Sequence, residues 1–223
     1  ALNALEVALN SSSFYDQTYH ISIDILKSLL LSPIHYDKDG DDHYDLLSAF
    51  QKSIRGSDAD AGIFYLAKLL ASKDLISPCR RLLVIASEDI GLANPQAAVI
   101  VKNLVDSAFQ LGLPEARIPL AEAVIFLCLC PKSNSAITAI DQAMDDISKG
   151  RGKEIPAYLK DGHYQGAVKL NHAQGYIYPH TFPHHYVQQQ YLPDDLKERV
   201  YYLPGENKIE LSYKEYWDKI KKN

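Results

Sequence analysis

Helix-ending residues recur at short intervals between residues 41 and 150, and they constrain the fold more than any other feature. Gly56, Gly91, Pro131 and Gly150 each follow a run of helical periodicity. Glycine ends a helix by adopting conformations that other residues avoid, and proline ends it because it cannot donate a backbone hydrogen bond. Short loops between helices favour antiparallel neighbours. The sequence therefore predicts a mainly α fold with a helical bundle over residues 41–150.

Candidate N-caps precede the helical runs. Short polar side chains are favoured there because they accept hydrogen bonds from the free N–H groups of the first helical turn. The candidates are Asp45, Ser57 or Asp58, Ser77, Asn94, and Ser133 or Asn134. Residues 34–42 are acidic, contain a glycine and lack an apolar period. They are therefore interpreted as a linker that separates residues 1–40 from the bundle.

Residues 151–223 are built differently from the rest of the chain. They contain ten of the fifteen tyrosines and five of the eleven prolines, and this proline content leaves little room for long helices. Aromatic side chains can still order such a segment by packing on another surface. The sequence predicts an irregular, aromatic-rich extension packed on the bundle, with short helices at 193–199 and 213–222 and a short strand at 200–203.

Composition excludes several classes of protein. The net charge of −5 argues against general attraction to a polyanion, so a nucleic-acid contact needs a local basic patch. The longest apolar run, residues 121–130, is too short to cross a membrane. Three cysteines, which cannot all pair, indicate a reducing compartment. Because the sequence has no phosphate-binding loop or nucleophile elbow, we assign it no catalytic, nucleotide-binding or metal-binding residue and no cofactor.

A dense group of polar residues marks the helix junctions around residues 87–95 and 131–134. Glu88 and Asp89 could form a carboxylate pair that faces a ligand or a partner subunit, or they could pair with a cation. The cations considered for that pairing are Arg80, Arg81 and Lys132. Lys132 also precedes a helix N-terminus, where it could hold a phosphate or be a solvated junction lysine.

A candidate basic patch crosses the acidic bundle. Its members, the candidate contacts with DNA or with another subunit, are Arg55, Arg80, Arg81 and Lys132, with Lys160 and Lys169 beside Tyr158 and Tyr164 as an extension. Interleaved basic and aromatic side chains suit single-stranded nucleic acid, because bases stack on rings. The same composition is typical of a subunit interface. The sequence leaves both functions open.

Three histidines form the strongest candidate metal site, ahead of Cys128 and Cys130, although no residue is assigned as a metal ligand. His180, His184 and His185 lie within six residues, and zinc favours imidazole nitrogen. These residues define the alternative function, a metal-assisted hydrolase that uses them with carboxylates of the bundle. The competing interpretation is a loop of aromatic and histidine side chains packed on the bundle.

Five motifs occur in a fixed order along the chain. They are DLLSAFQKSIRGSDADA (45–61), ASEDIG (86–91), PKSN (131–134), GYIYPH (175–180) and QQYLP (189–193). In this order they resemble the C-terminal half of the replication-associated recombination protein A (RarA, or MgsA) family. These proteins are AAA+ ATPases related to clamp loaders and to the Werner-helicase-interacting protein. The matching junction residues are Ser87, Glu88, Asp89, Asn94, Ser133 and Asn134.

The resemblance implies both an architecture and a role. Residues 1–40 would be the remainder of a AAA+ lid domain, residues 41–150 a clamp-loader-collar-like oligomerisation domain, and residues 151–223 the extension. The P-loop and Walker B segments, and with them ATP and Mg²⁺, would lie upstream, since the abrupt helical start at Ala1 is interpreted as the cut edge of a longer polypeptide. The expected role is a non-catalytic assembly and DNA-targeting module. The expected partners are further copies in a homotetramer, single-stranded or forked DNA, and a single-strand-binding protein.

Overall fold

A computed structural model describes residues 13–15, 18–23, 41–162 and 174–222. Over these residues the predicted mainly α fold is confirmed. Two short strands, β1 (Ser13–Tyr15) and β2 (Thr18–His20), pair antiparallel. The helices are α1 (Asp41–Arg55), α2 (Ala59–Ala71), α3 (Ile76–Ile85), α4 (Ala97–Leu111), α5 (Arg117–Leu129), α6 (Ser135–Ser148) and α7 (Lys208–Lys221). Within the described residues, no helix combines the length and apolar character that crossing a membrane requires.

The bundle core is formed by apolar faces of α1 to α5. Phe50, Ile54, Leu82, Ile85 and Leu127 are completely buried in it. Helix α1 packs on α2 and α3, α2 packs on α5, and α4 packs on α5. Burying each such side chain contributes about 2 kcal/mol to folding. Helix α1 is therefore part of the bundle.

The predicted positions of helix ends agree with the structure more closely than the predicted positions of helix starts. Asp58 is confirmed as the N-cap of α2, since its Oδ1 accepts a hydrogen bond of 2.9 Å from the N–H of Ala61. The prediction for Asp45 is wrong because α1 already begins at Asp41, inside the predicted linker. The prediction for Ser77 is also wrong, because Ser77 lies inside α3. The N–H of Ser77 instead donates to Asp74 Oδ1 at 3.0 Å.

Of the remaining predicted caps, Asn94 and Ser133 accept hydrogen bonds from nearby backbone N–H groups, whereas Asn134 does not. Asn94 Oδ1 accepts from the N–H of Gln96 at 3.2 Å, before α4 begins. Asn134 is the N-cap residue of α6 but makes no side-chain capping bond. Ser133 Oγ instead accepts from the N–H of Ser135 at 3.3 Å.

The extension is irregular, as predicted, but its regular elements differ from those expected. The predicted helix at 193–199 is a single 3₁₀ turn, Asp194–Leu196, and residues 200–203 form no strand. Helix α7 begins at Lys208, earlier than predicted, because Asn207 caps it by accepting from the N–H of Glu210 at 3.0 Å.

Candidate functional site

Two of the sequence motifs meet at one helix junction. A π-helical turn, Ala86–Ile90, follows α3 directly, and the carbonyl of Asp89 accepts a hydrogen bond of 2.9 Å from the N–H of Ser133. Gly91 closes the turn with φ of +48°, and a Cβ there would lie 3.2 Å from the carbonyl oxygen of Ser133. Both the backbone conformation and the close approach therefore require glycine.

Arg55, the last residue of α1, holds the two carboxylates of the π-helical turn. Its Nε donates to Asp89 Oδ1, and its second terminal nitrogen donates to Glu88 Oε1 at 2.8 Å. The hydrogen bond that Arg55 donates to Asp89, together with the negative charges of Asp89 and Glu88, raises the pKa of Arg55. The pairing that the sequence suggested for Glu88 and Asp89 thus exists, but the suggested partners were wrong.

Gln51 extends this network by one more layer. Its Nε2 donates to Glu88 at 3.1 Å and to Asp89 at 3.3 Å, while its Oε1 accepts from Arg81 at 2.9 Å. Asp89 and Gln51 are both buried. The network therefore joins the end of α1 to α3 and the π-helical turn, and its central members, Gln51 and Asp89, are removed from water.

Replacing Arg55 by alanine is expected to lower the free energy of unfolding by about 1.5 kcal/mol. Asp89 would keep its bonds from Gln51 but lose its cation, while the partial exposure of Arg55 limits the effect. Urea unfolding measures the change. Lys52→Ala, an exposed basic position on the same helix, is the matched control and should change stability by less than about 0.5 kcal/mol. Equal effects of the two variants would contradict the role given to Arg55.

Lys132 points back to the helix that precedes it. Its Nζ donates to the carbonyls of Leu127, Cys128 and Cys130 at 3.0, 3.1 and 2.7 Å, and to Ser57 Oγ at 2.8 Å. Burial lowers its pKa. These acceptors engage all three ammonium protons, so Lys132 caps the C-terminal end of α5. The suggested phosphate contact at the N-terminus of α6 has no free donor on this side chain.

The other predicted site residues lie around this junction. Asn94 Nδ2 approaches Cys130 Sγ at 3.3 Å, while Ser87, Asn134 and Arg80 are exposed. The structure thus brings together Ser133, Asn94 and the carboxylate pair. Of the candidate basic patch, Arg55, Arg81 and Lys132 bond within the bundle and Arg80 alone is exposed without such a bond in the described residues. Its suggested extension at Tyr164 and Lys169 lies outside the described residues.

The three histidines lie in two consecutive 3₁₀ turns, Pro179–Thr181 and Pro183–His185. The rings of His180 and His185 contact each other with centroids 4.8 Å apart, and Tyr178 lies against His180 at 5.1 Å. Within the described part of the chain, no three histidine, cysteine or acidic side chains are grouped as metal ligands would be. The three histidines are exposed and their rings are tilted against their neighbours, and the described residues give the hydrolase alternative no site.

A buried carboxylate that sequence reasoning missed connects the bundle to the extension. Asp146 on α6 is 1% exposed and accepts hydrogen bonds from Arg199 Nε at 2.6 Å, Arg151 at 3.1 Å and the hydroxyl of Tyr201 at 3.0 Å. The hydrogen bond from Arg199, with that from Tyr201 and the nearby positive charges, lowers the pKa of Asp146. The extension is thereby held against α6.

Glu210 on α7 is a second buried carboxylate, and among the described residues no cation forms an ion pair with it. Ser135 Oγ donates to it at 2.6 Å and the hydroxyl of Tyr202 at 3.1 Å, and Asn207 Nδ2 donates to its other oxygen. Burial alone would raise the pKa of Glu210, but these hydrogen bonds, with those of Ser133 and the backbone of Gly205, lower it to about 2. We call Asp146 and Glu210, with their donors, the tail clamp.

The outward face of α6 carries apolar side chains that nothing described covers. The α6 stripe consists of Ile137, Ile140, Met144 and Ile147, whose spacing of three and four residues places them on one side of the helix. Ile140, Met144 and Ile147 are 54, 57 and 63% exposed. At one end the stripe borders a groove of about 510 Å³ that Leu83 and Val84 of α3 also line.

The fold and its junction are those of a known class. The model of the MgsA AAA+ ATPase C-terminal family matches residues 56–221, and that of a AAA C-terminal domain matches residues 1–55. The chain belongs to the MgsA AAA+ ATPase C-terminal family. The resemblance carried by the five motifs is therefore confirmed.

Individual relatives agree with this assignment. The chain is 53% identical, over its whole length, to the replication-associated recombination protein A of Bacillus subtilis, of which the match covers 53%. It is 45% identical over 94% of its length to an uncharacterized AAA domain-containing protein of Mycobacterium tuberculosis, of which 47% is covered. The chain is 33% identical over 99% of its length to the replication-associated recombination protein A of Haemophilus influenzae, and the match covers 50% of that protein. The chain spans about half the length of these relatives.

Proposed function

We propose that this chain is the assembly and DNA-targeting module of a AAA+ ATPase that acts in the cytoplasm on replication forks during recombination and repair. The family assignment and the names of the relatives support this role. ATP and Mg²⁺ would be bound by other parts of the whole protein, so the module itself performs no chemistry. DNA, in single-stranded or forked form, and a single-strand-binding protein are its proposed partners outside the assembly.

The observation that carries the assembly role is the unpartnered α6 stripe. The opposite side of α6 is occupied by the tail clamp, so the helix is fixed in place, while no described residue covers its apolar side. Burial of Ile140, Met144 and Ile147 against another copy contributes about 2 kcal/mol for each side chain. In a homotetramer this free energy of burial is gained at each interface, so the stripe is suited to a subunit interface.

Charging the α6 stripe is expected to dissociate the assembly. Ile140 and Met144 are more than half exposed, so Ile140→Asp with Met144→Asp should leave the folded subunit intact while placing two desolvated carboxylates in the interface. Sedimentation at tens of micromolar should give a tetramer for the unaltered chain and a smaller species for the double variant. Far-UV circular dichroism should be the same for both.

Thr138→Asp is the matched control, because Thr138 is exposed on α6 but lies on a different side of the helix from the stripe. It should sediment as the unaltered chain does. A monomeric unaltered chain at this concentration would contradict the assembly role, since an interface of standard size holds well below it. Dissociation by Thr138→Asp but not by the double variant would assign the interface to another surface.

A further inference from the structure

An aromatic cleft lies between α7 and the segment that leads into it. The cleft has a volume of about 620 Å³ and is open to solvent. Rings of Tyr186, Tyr202, Tyr213 and Trp217 line it, and Val200, Leu203 and Pro204 complete its apolar wall. Tyr213 and Trp217 remain 51 and 40% exposed although they line the cleft. Ring surface is therefore accessible from outside.

The rings of Trp217, Tyr186 and Tyr202 are held in place by contacts within the fold. Trp217 lies edge-on to Tyr186 with centroids 6.0 Å apart, and edge-on to Tyr216 at 5.4 Å. Tyr202 donates its hydroxyl hydrogen to the buried Glu210 at 3.1 Å, so the tail clamp also fixes one wall of the cleft. A ligand that stacks on these rings meets side chains that are already ordered, which reduces the entropy cost of binding.

The lining of the cleft carries more positive than negative charge. Lys214 and Lys221 lie in its lining, with Asp218 paired to Lys214 at 2.9 Å. Helix α7 carries four lysines, and because Glu210 is buried only two carboxylates, Glu215 and Asp218, face outward. The outer surface of α7 is thus basic on a chain whose net charge is −5.

We propose that this aromatic cleft binds single-stranded nucleic acid, with bases stacked on Tyr213 and Trp217 and phosphates against Lys214 and Lys221. Stacking platforms beside basic side chains are what sequence-independent binding of single strands requires, because every base has a π face and every nucleotide a charge. An acidic peptide would satisfy the lysines but would leave most of the ring surface without a planar partner. The inference rests on the DNA-targeting part of the proposed function and assigns it a site.

Trp217 makes the test direct because it is the single tryptophan of the chain. Titrating the full chain with an oligothymidylate of about 15 nucleotides should quench its fluorescence as bases stack on the ring. Tyr213→Ala should weaken binding about tenfold, as expected for the loss of one stacked base. Lys221→Ala should reduce the slope of log affinity against log salt by about 0.7.

Two control variants keep the test specific. Lys102→Ala removes a lysine that, like Lys214, is exposed and paired with an aspartate four residues on, but it lies on α4. Tyr178→Ala removes an equally exposed ring of the extension outside the cleft lining. Both should bind as the unaltered chain does. Absence of quenching, or loss of binding in Tyr178→Ala with retention in Tyr213→Ala, would overturn the proposal.

A peptide rich in glutamate and phenylalanine tests the alternative that the cleft binds an acidic peptide instead of nucleic acid. If it shifts Trp217 fluorescence while oligothymidylate does not, the cleft is a peptide site and the proposal is wrong. Sedimentation of the same samples separates this inference from the assembly role. Loss of nucleic-acid binding from a chain that remains tetrameric concerns the cleft alone, whereas dissociation by the α6 stripe variant concerns the assembly alone.

Discussion

Replacing Gly62 by valine is expected to lower the free energy of unfolding by about 3 kcal/mol. Gly62 is buried where α2 crosses α5, and a Cβ there would lie 2.9 Å from Val124 Cγ1, 3.5 Å from Ile54 Cγ1 and 3.7 Å from Cys128 Sγ. The first distance is shorter than carbon atoms tolerate. Valine adds two further methyl groups, so α2 and α5 must separate or Val124 must leave its rotamer. Urea unfolding followed by circular dichroism measures the loss.

Ala67→Val is the matched control for this variant. Ala67 lies on the same helix but is exposed, so the substitution there tests only the cost of a β-branched residue in a helix, about 0.6 kcal/mol. Gly62→Ala adds a second comparison, because the contact with Val124 offsets the roughly 1 kcal/mol that alanine gains over glycine in a helix. A Gly62→Val variant as stable as Ala67→Val would show that α2 and α5 are not in close contact.

The local rules of helix formation explain which parts of the fold were predictable. Asp58 and the end of α1 at Arg55 were identified correctly because a cap and a glycine stop act on the residues beside them. Asp41 was missed because the acidic stretch contains several aspartates and a glycine, each of which could cap a helix, so the sequence does not single out one start. The need for glycine at position 62 was not predictable either, because the side chain that would clash with a larger residue, Val124, lies on the distant helix α5.

The candidate site shows the same division between near and distant contacts. Glu88 and Asp89 were recognised as a carboxylate pair from their position at a helix end, but their cation, Arg55, lies more than thirty residues away. Nearby Arg80 and Arg81 were favoured because spacing along one helix is all that a single sequence reveals. Lys132 was placed at the following helix for a similar reason, although its acceptors belong to the preceding one.

The tail clamp had almost no signal in the sequence. Asp146 meets Arg199 across 53 residues and Ser135 meets Glu210 across 75. One local clue existed: Asn207 and Glu210 have the spacing of an N-cap residue and the third residue of a helix. It predicts the start of α7 but not the burial of Glu210, which depends on how the extension packs on α6.

Replacing Glu210 by alanine is expected to lower the free energy of unfolding by about 3 kcal/mol. The change removes the common acceptor of three donors, the buried hydroxyl of Ser135, the partly exposed hydroxyl of Tyr202 and the half-buried amide of Asn207. Each lost hydrogen bond to the carboxylate costs about 1 kcal/mol or more. Because Trp217 lies on α7, its fluorescence should change at lower urea than the circular dichroism of the bundle. Glu215→Ala, an exposed carboxylate on the same helix, should leave both transitions within about 0.5 kcal/mol of the unaltered chain.

The same carboxylate makes the attachment of α7 depend on acid. The pKa of Glu210 is about 2 in the fold against an ordinary value of 4.5, so the unfolded chain binds the proton more readily. Its contribution is therefore complete above pH 4.5 and is lost as pH falls from about 4.5 towards 2. The lowered pKa of Asp146 acts in the same direction. Trp217 fluorescence should report release of α7 within this window, and Glu210→Gln, which cannot ionise, should weaken the pH dependence. An unchanged pH profile in Glu210→Gln would contradict the assignment of the buried charge to Glu210.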